Sequence, residues 1–530
     1  MNILSIYLGH NASMTVAIDG RILEVLEFER LTNIKNGGCM AQIGVNNPKV
    51  IITIAKDYLM KKFNIKHFDL LLMNHHDLVA FRRDVFLSEK DILKFMDADQ
   101  FKLVHHQHGH MAGAFYQTDF INCRGISFDG GGSDGNFNVF DCNRETGVRQ
   151  LEYVGDHTIG MRYAEIGQYT KSIRKEPGKN FFESETLVYP GKLMGLSAYG
   201  HVRDEWLPAF EKFYTGNYLI GTNDINANYK TLKEEINLPD GEFDGLLEAD
   251  VVATSQFMFE KKFKYLMKSY FNDQNTMILT GGCALNILNN QKLSLEKRVF
   301  VPPNPHDGGL SLGFMLDYLK PKEAFNATYL GPSVWDSNLL AEYVERHRGQ
   351  LYTFKEIADD LVKGKIIGVV RGGSELGPRA LGNRSILCHA AIPNMKDILN
   401  QKVKNRESYR PFAPVCHESI APQFFETTLN ADYRWMSFCP TVREEYREVL
   451  ASVTHADNTA RLQTVNEQQN DWLFYLLLQL QQVHPVPVLI NTSFNIAGKP
   501  ILNTYRDAVW MLENTQLDGV ILENYYIKKS

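Results

Sequence analysis

Cysteine is scarce and unpatterned in this 530-residue chain, with seven residues, odd in number, and no CxxC pair. That excludes a disulfide scaffold and suits reduced thiols in a cytoplasm. Long apolar runs are missing too. The N-terminus, MNILSIYLGHNAS, has no basic stretch ahead of an apolar core, and the most apolar later segment, WLFYLLLQLQQ, is broken by glutamines. Both fall short of the ~18 residues a membrane span needs, so the expectation is a cytoplasmic protein with no secretion signal and no membrane partner. Neither sign of charge dominates: 56 Lys and Arg face 62 Asp and Glu, a formal charge of -6. There is no global basic footprint, and duplex nucleic acid is not an expected partner. No internal repeat of fixed period occurs.

A chain of this length exceeds what one hydrophobic core organises, so two or three domains are expected. Apolar strands ending in turn residues alternate with helical periodicity. NILSIYLG and MTVAIDGRILEVLEFER read as a pair of hairpin strands with Asp19-Gly20 as the tight turn. RGISFDGGG and TMILTGG read as strands ending in glycines, and DGGLSLGFMLDYLKP as a helix. The pattern is that of an α/β protein. After Gly331-Pro332 the texture changes to helix, apolar strand KIIGVVRGG, a loop-rich basic region, helices and a final strand PVPVLINTSFN. A boundary there divides the chain into residues 1–332 and 333–530.

The stretch VHHQHGHMAGAFY holds His105, His106, His108 and His110. On a helix, His106 and His110 share a face at metal-ligand spacing; packing or capping histidines are the alternative. Asp129 follows a strand in SFDGGG and Asp307 precedes a helix in NPHDGGLSLG, positions that aim carboxylates into the crevice of an α/β sheet. Two His and two Asp make a nitrogen and oxygen set suited to Fe(II), Mn or Zn. Zinc-protease chemistry lacks its base, because Gln107 stands where HExxH needs glutamate. Glycine turns at DGGGSDG and LTGGCALN, with GHNAS at the first strand, outline a nucleotide cleft between two halves of an actin-like fold. In the C-terminal part, RGGSELGPRALGNRS and NQKVKNRESYRPFAPV bring Arg371, Arg379, Arg384, Lys402, Lys404, Arg406 and Arg410 into shaped loops. Arg461, Asn491, Ser493 and Asn495 add donors. Such a set can hold a triphosphate and the oxyanion of a small acyl group.

GHNAS, EFERLTNIK, HHQHGHMAGAF, FDGGG, GKLMGLSAYG, LTGGCALN, DGGLSLG, GPRALGNRS, VKNRESYRPFAP, TARLQTV and NTSFN follow one another over nearly the whole chain. In that order they resemble the O-carbamoyltransferases of the NodU/CmcH type. The resemblance implies an N-terminal actin/Hsp70-like (ASKHA) duplicated domain, similar to the enzymes that transfer threonylcarbamoyl to tRNA. It implies a C-terminal YrdC-like α/β domain that makes carbamoyl-AMP from carbamoyl phosphate and ATP with Mg2+. Arg379, Lys404, Arg410, Arg461, Asn491 and Ser493 match the anion and adenylate contacts. By the same resemblance His106, His110, Asp129 and Asp307 bind the divalent metal, Fe2+ first, with Zn2+ or Mn2+ as alternatives. His10 stands beside the acceptor, and Gly281, Gly282 and Asn286 form the turn that receives the nucleotide. One departure is FDGGGSDG, where Ser133 and Asp134 stand in a segment that often carries an acidic residue earlier.

The implied chemistry is coherent. Carbamate is a poor electrophile, and joining it to AMP makes a mixed anhydride with a good leaving group. An alcohol then attacks if His10 takes its proton, a role worth ~10² to 10⁴ in rate, or if the metal polarises the carbonyl. The sequence leaves both open. The expected acceptor is a hydroxyl of a small molecule or nucleotide: a sugar, a hydroxymethylated pyrimidine or a natural product. An actin-fold small-molecule kinase is the alternative, but it leaves the basic C-terminal part unexplained. A nucleotide- and metal-binding regulator without turnover is the third reading.

Overall fold

A computed structural model describes every residue except 39–46, 86, 131–134, 154–158, 174–185, 216–231, 238–244, 496–497 and 530. Ser133 and Asp134 therefore lie outside the described residues.

The first sheet contains β1 (Asn2–Tyr7), β2 (Ser13–Ile18), β3 (Arg21–Glu27), β4 (Leu70–Met73) and β5 (Phe101–Leu103), in the order β3-β2-β1-β4-β5. Asp19 and Gly20 take φ of 48° and 80°, the left-handed pair that a two-residue hairpin turn requires. That turn joins β2 to β3, so the segment read as two strands folds as three. The chain breaks at Leu8–Ala12 because His10 and Asn11 are turned out of the sheet there, Asn11 with φ 57°.

The second sheet repeats the pattern with β6 (Asn122–Phe128), β7 (Phe137–Asn143), β8 (Gly147–Tyr153), β9 (Thr276–Thr280) and β10 (Arg298–Phe300), ordered β8-β7-β6-β9-β10. In both sheets the first three strands are antiparallel and the last two run parallel to the first. This is the duplicated order of the actin class, as expected. In each repeat the fifth strand leads to a helix, His106–Phe115 in one and Leu310–Leu319 in the other. The two helices cross at glycines. A side-chain carbon on Gly313 would lie 2.1 Å from the Gly109 carbonyl oxygen, and one on Gly113 3.2 Å from the Gly313 Cα. Only residues without side chains permit so close a crossing, and it brings the N-terminal ends of both helices, with His106 and Asp307, to one place.

The third sheet has eight strands: β11 (Gln350–Leu351), β12 (Ile367–Val370), β13 (Arg384–His389), β14 (Ala413–His417), β15 (Gln463–Val465), β16 (Leu489–Ser493), β17 (Gly519–Leu522) and β18 (Tyr525–Lys528). Its order is β11-β18-β17-β12-β13-β16-β14-β15. PVPVLINTSFN forms β16 and is not the final strand. The hairpin β17/β18 follows, and β17 pairs in parallel with β12 inside the sheet. Strands of four residues show too little alternation to stand out from sequence. One apolar cluster includes Phe128, Phe259 and Leu279 of the second unit together with Ile386, Ile490 and Val520 of the third sheet.

His389, at the end of β13, gives the third sheet a pH dependence. Its side chain is buried, Nδ1 accepts the Ala391 N–H at 3.2 Å, and Nε2 has no partner. Burial first, and His484 with ring centroids 4.2 Å away, push its pKa down to about 4. Below about pH 6.5 the unfolded chain takes a proton that the folded chain refuses, so stability present above pH 6.5 is lost as pH falls toward 4. The expected loss is on the order of 3 kcal/mol, and His389→Gln should flatten it. Denaturant unfolding at pH 7 and pH 4.5 checks this; equal slopes in both proteins would contradict it.

Candidate active site

Four side chains meet where the two crossing helices begin. His106 and His110 lie one turn apart on the first helix, Asp129 follows β6 directly, and Asp307 opens a short turn ahead of the second helix. One ligand atom from each of these four buried residues lies within 4.8 Å of all the others. The histidine Nε2 atoms are 3.2 Å apart. His110 Nε2 stands 2.9 Å from Asp129 Oδ2 and 3.4 Å from Asp307 Oδ1. His106 Nε2 lies 3.8 Å and 3.6 Å from the same oxygens.

Two carboxylates in so dry a place demand positive charge. Burial opposes protonation of His106, yet Asp307 and Asp129 outweigh it and push its pKa up to about 10. Burial likewise opposes the charge of Asp307, whose carboxyl is nevertheless held well below the usual range by His10 and His106. The charge that balances the pair is two imidazolium protons or one divalent ion. The donor set fits an ion: the buried Asp129 Oδ2 faces His110 Nε2 at 2.9 Å, and the nitrogen-to-oxygen separations of 2.9–3.8 Å bracket the roughly 3.3 Å expected of ligands about 2.0–2.1 Å from a common centre. Two nitrogens with two oxygens suit Fe, Mn or Zn.

Neighbours fix these four side chains. Asp307 turns Oδ1 toward the histidines, while Oδ2 accepts the Tyr7 hydroxyl and lies 3.4 Å from His10 Nε2. The Tyr7 ring also stands edge-on to His106, with centroids 5.7 Å apart. Asp129 Oδ1 accepts the Gly130 N–H at 2.6 Å. Tyr7→Phe is expected to weaken metal affinity about tenfold, as losing a ligand's orienting hydrogen bond commonly does. Titration with Mn(II) measures it, and unchanged affinity would deny the hydroxyl any part.

The glycine pair supports this centre. Gly281 has φ 87°, and a side-chain carbon there would stand 2.3 Å from the Phe128 carbonyl oxygen; one on Gly282 would lie 2.9 Å from Asp129 Oδ1. Asn286 caps the helix Ile287–Ser294 and exchanges two 3.1 Å hydrogen bonds with Gln256, so its amide is engaged within the fold. His105 stands at the N-cap position of the His106–Phe115 helix without a side-chain capping bond, and His108 pairs with Asp317 at 2.8 Å.

The second constellation is a cluster of cations. Arg379, Lys404, Arg406, Arg410 and Arg461 act on one another, and Lys35 and Lys192 join them from the N-terminal part. Glu29 and Glu407 are the carboxylates facing them. Burial, then the neighbouring arginines and Lys35, hold the Lys404 ammonium well below its usual pKa. Burial and Arg410 push Arg379 down to about 10 and Arg406 to about 9. Burial opposes the charge of Glu407, but Lys192, at 2.6 Å, helps bring its pKa to about 2. Lys404 Nζ donates to the Ser493 carbonyl at 2.7 Å and to Asn495 Oδ1 at 2.6 Å. Asn491 donates to Ala380 and Gln463, leaving its buried Oδ1 without a partner, and Arg461 Nε is likewise unpartnered. Seven cations against two carboxylates leave an excess of positive charge, which suits an anion.

Two arginines expected in this set are elsewhere. Arg384 is buried and donates to the carbonyls of Arg371 and Gly372, which shapes the loop. Arg371 stacks over Trp472 at 5.2 Å and donates to Tyr352 and the Glu523 carbonyl. Their charges answer local carbonyls and aromatic faces.

Family models for the Carbamoyltransferase N-terminus and the Carbamoyltransferase C-terminus match residues 81–316 and 358–529. The chain belongs to the carbamoyltransferase family. Nodulation protein NolNO of Sinorhizobium fredii is 30% identical, covering 98% of this chain and 79% of that protein. Nodulation protein NolO of Bradyrhizobium diazoefficiens is also 30% identical, covering 80% of this chain and 79% of that protein. Among solved structures, component A of (R)-2-hydroxyglutaryl-CoA dehydratase from Acidaminococcus fermentans has a TM-score of 0.34 and 13% identity over 60% of this chain and 98% of that chain. No helix among the described residues of this carbamoyltransferase is long and apolar enough to cross a membrane.

Sequence reasoning grouped the two histidines and two aspartates that the fold of this carbamoyltransferase brings together, and the cations of the C-terminal loops, but missed Tyr7, Asn11, Lys35, Lys192 and Glu407. Lys192 left a faint signal, as the lone charge in the apolar helix YPGKLMGLS.

Proposed function

We propose that this carbamoyltransferase works in two half-reactions, activating carbamate as carbamoyl-AMP in residues 333–530 and transferring it to a hydroxyl in residues 1–332. The observation that carries the reading is the excess of buried cations around Lys404 and Arg461. Carbamate, released from carbamoyl phosphate by water along with phosphate, attacks the α-phosphorus of ATP bound with Mg2+ and expels pyrophosphate. Arg379, Arg410, Arg461 and Lys35 neutralise the phosphates, and Ser493 and Lys404 hold the same anion. The unpartnered Asn491 Oδ1 suits the carbamoyl NH2, which needs an acceptor.

In the second half-reaction the acceptor hydroxyl attacks the carbamoyl carbon, and AMP leaves. His10 is the base. Asn11 donates its amide N–H to Asn36 at 3.3 Å, so its oxygen faces His10 Nδ1 at 3.1 Å. That arrangement selects the tautomer protonated on Nδ1 and leaves Nε2 to take the hydroxyl proton. Asp307, 3.4 Å from Nε2, then stabilises the imidazolium. His106, His110, Asp129 and Asp307 would hold the divalent ion, iron by preference, which supplies Lewis-acid polarisation when bound. The acceptor in this reading is a small molecule or nucleotide.

Incubation with carbamoyl phosphate, Mg–ATP and Fe(II), followed by mass spectrometry, tests the scheme. Carbamoyl-AMP and pyrophosphate should appear together. ATP turned over to ADP without any adenylate would instead favour the kinase reading.

A further inference from the structure

The motif EFER, residues 27–30, lies between the two sites, and its Glu27 and Arg30 belong to neither the cation cluster nor the His/Asp set. Glu27 ends β3 and is buried. Its Oε1 accepts the Gly377 N–H at 3.0 Å, two residues before Arg379. The same oxygen would lie 3.1 Å from a side-chain carbon on Gly308, next to Asp307. Arg30, whose guanidinium is closed to solvent, donates to the Ile501 carbonyl at 3.1 Å and to the Glu375 and Gly377 carbonyls at 3.5 Å. It also reaches Glu27 Oε2 at 3.4 Å. Between them, Glu29 accepts the N–H of Asn36 at 3.0 Å and so ties down the loop that carries Lys35. Gly377 itself, at φ 88°, lies so near Pro303 that a side-chain carbon would stand 2.6 Å from its carbonyl oxygen. One short segment thus grips the Arg379 loop, the Lys35 loop, the chain beyond Ser493 and the turn of Asp307.

We propose that Glu27 and Arg30 are positioning residues that hold the cation-lined site and the His/Asp site in one register, so that loosening either residue degrades both sites together. The proposal rests on the two-site reading above. A buried guanidinium shared among three carbonyls and a carboxylate cannot be replaced by lysine, whose ammonium lacks the fork. Glutamine at 27 keeps an acceptor for Gly377 but removes the charge that orients Arg30.

The test uses the full chain with two probes, Mn(II) followed by electron paramagnetic resonance and AMP followed by calorimetry, below the melting temperature of each variant. Arg30→Lys is expected to weaken both probes roughly tenfold, and Glu27→Gln, which preserves shape, to weaken both by a smaller factor. Wild-type affinity for both probes in both variants would overturn the proposal, as would loss confined to one probe. A purely structural role would lower the melting temperature and leave both affinities alone. Wild-type protein that takes up Mn(II) but not AMP would remove the two-site reading, and this proposal with it.

Discussion

Lys404→Met is expected to lower carbamoyl-AMP formation at least about 10³-fold, roughly 4 kcal/mol in the barrier, while the protein stays folded and still takes up a divalent metal. The ammonium is buried, fixed by the Ser493 carbonyl and Asn495, and faced by Arg406, Arg410 and Lys35. In the free protein these like charges and burial work against its proton. An incoming phosphate or carbamate reverses the field, restores the charge and creates a short, desolvated contact with the anion that water cannot replace. Methionine fills the same volume, so the loss falls on the anion and not on packing. Binding of carbamoyl phosphate to the wild type should also draw in protons, because an anion raises a depressed ammonium pKa. Calorimetry in buffers of different ionisation enthalpy measures that uptake, and mass spectrometry measures the adenylate. Adenylate formation within tenfold of wild type would show that Lys404 is not an anion ligand.

The His/Asp cluster was legible in the sequence because its signal is local. His106 and His110 need only a helix to meet, and that helix forms as read. Asp129 needs only to follow a strand. Asp307 shows where the reading became coarser: six residues separate it from β10, and the crossing of two glycine-bearing helices sets its place. Roles settled by distant partners left no such trace. Arg379 and Arg384 stand five positions apart, one in a loop and the other at the start of β13, and look alike on paper, yet one faces Arg410 and the other is consumed by carbonyls at 371 and 372. Lys35 belongs to the cation cluster only because the fold closes residues 27–36 over the Arg379 loop. Tyr7 looks like one more apolar strand residue until Asp307, 300 positions away, accepts its hydroxyl.

His10→Asn should separate the half-reactions. Transfer to an added panel of sugars and nucleosides, read as a mass gain of one carbamoyl group, is expected to fall ~10² to 10⁴-fold while carbamoyl-AMP still forms. The expectation follows from position. His10 is the partly exposed member of the constellation, with 37% of its side chain accessible, whereas His106 and His110 are closed to solvent. An acceptor entering from outside therefore meets His10 first. Asn11 holds one nitrogen and Asp307 stands ready for the charge that develops on the other, so asparagine at position 10 keeps some hydrogen bonding but has no site for the proton. Metal affinity should change little, because the loss is of a base and not of a ligand. If transfer survives near the wild-type rate, the hydroxyl is activated without His10 and the Lewis acid held by the four buried ligands carries that role. Equal loss in both half-reactions would place His10 in the folding of the site and not in its chemistry.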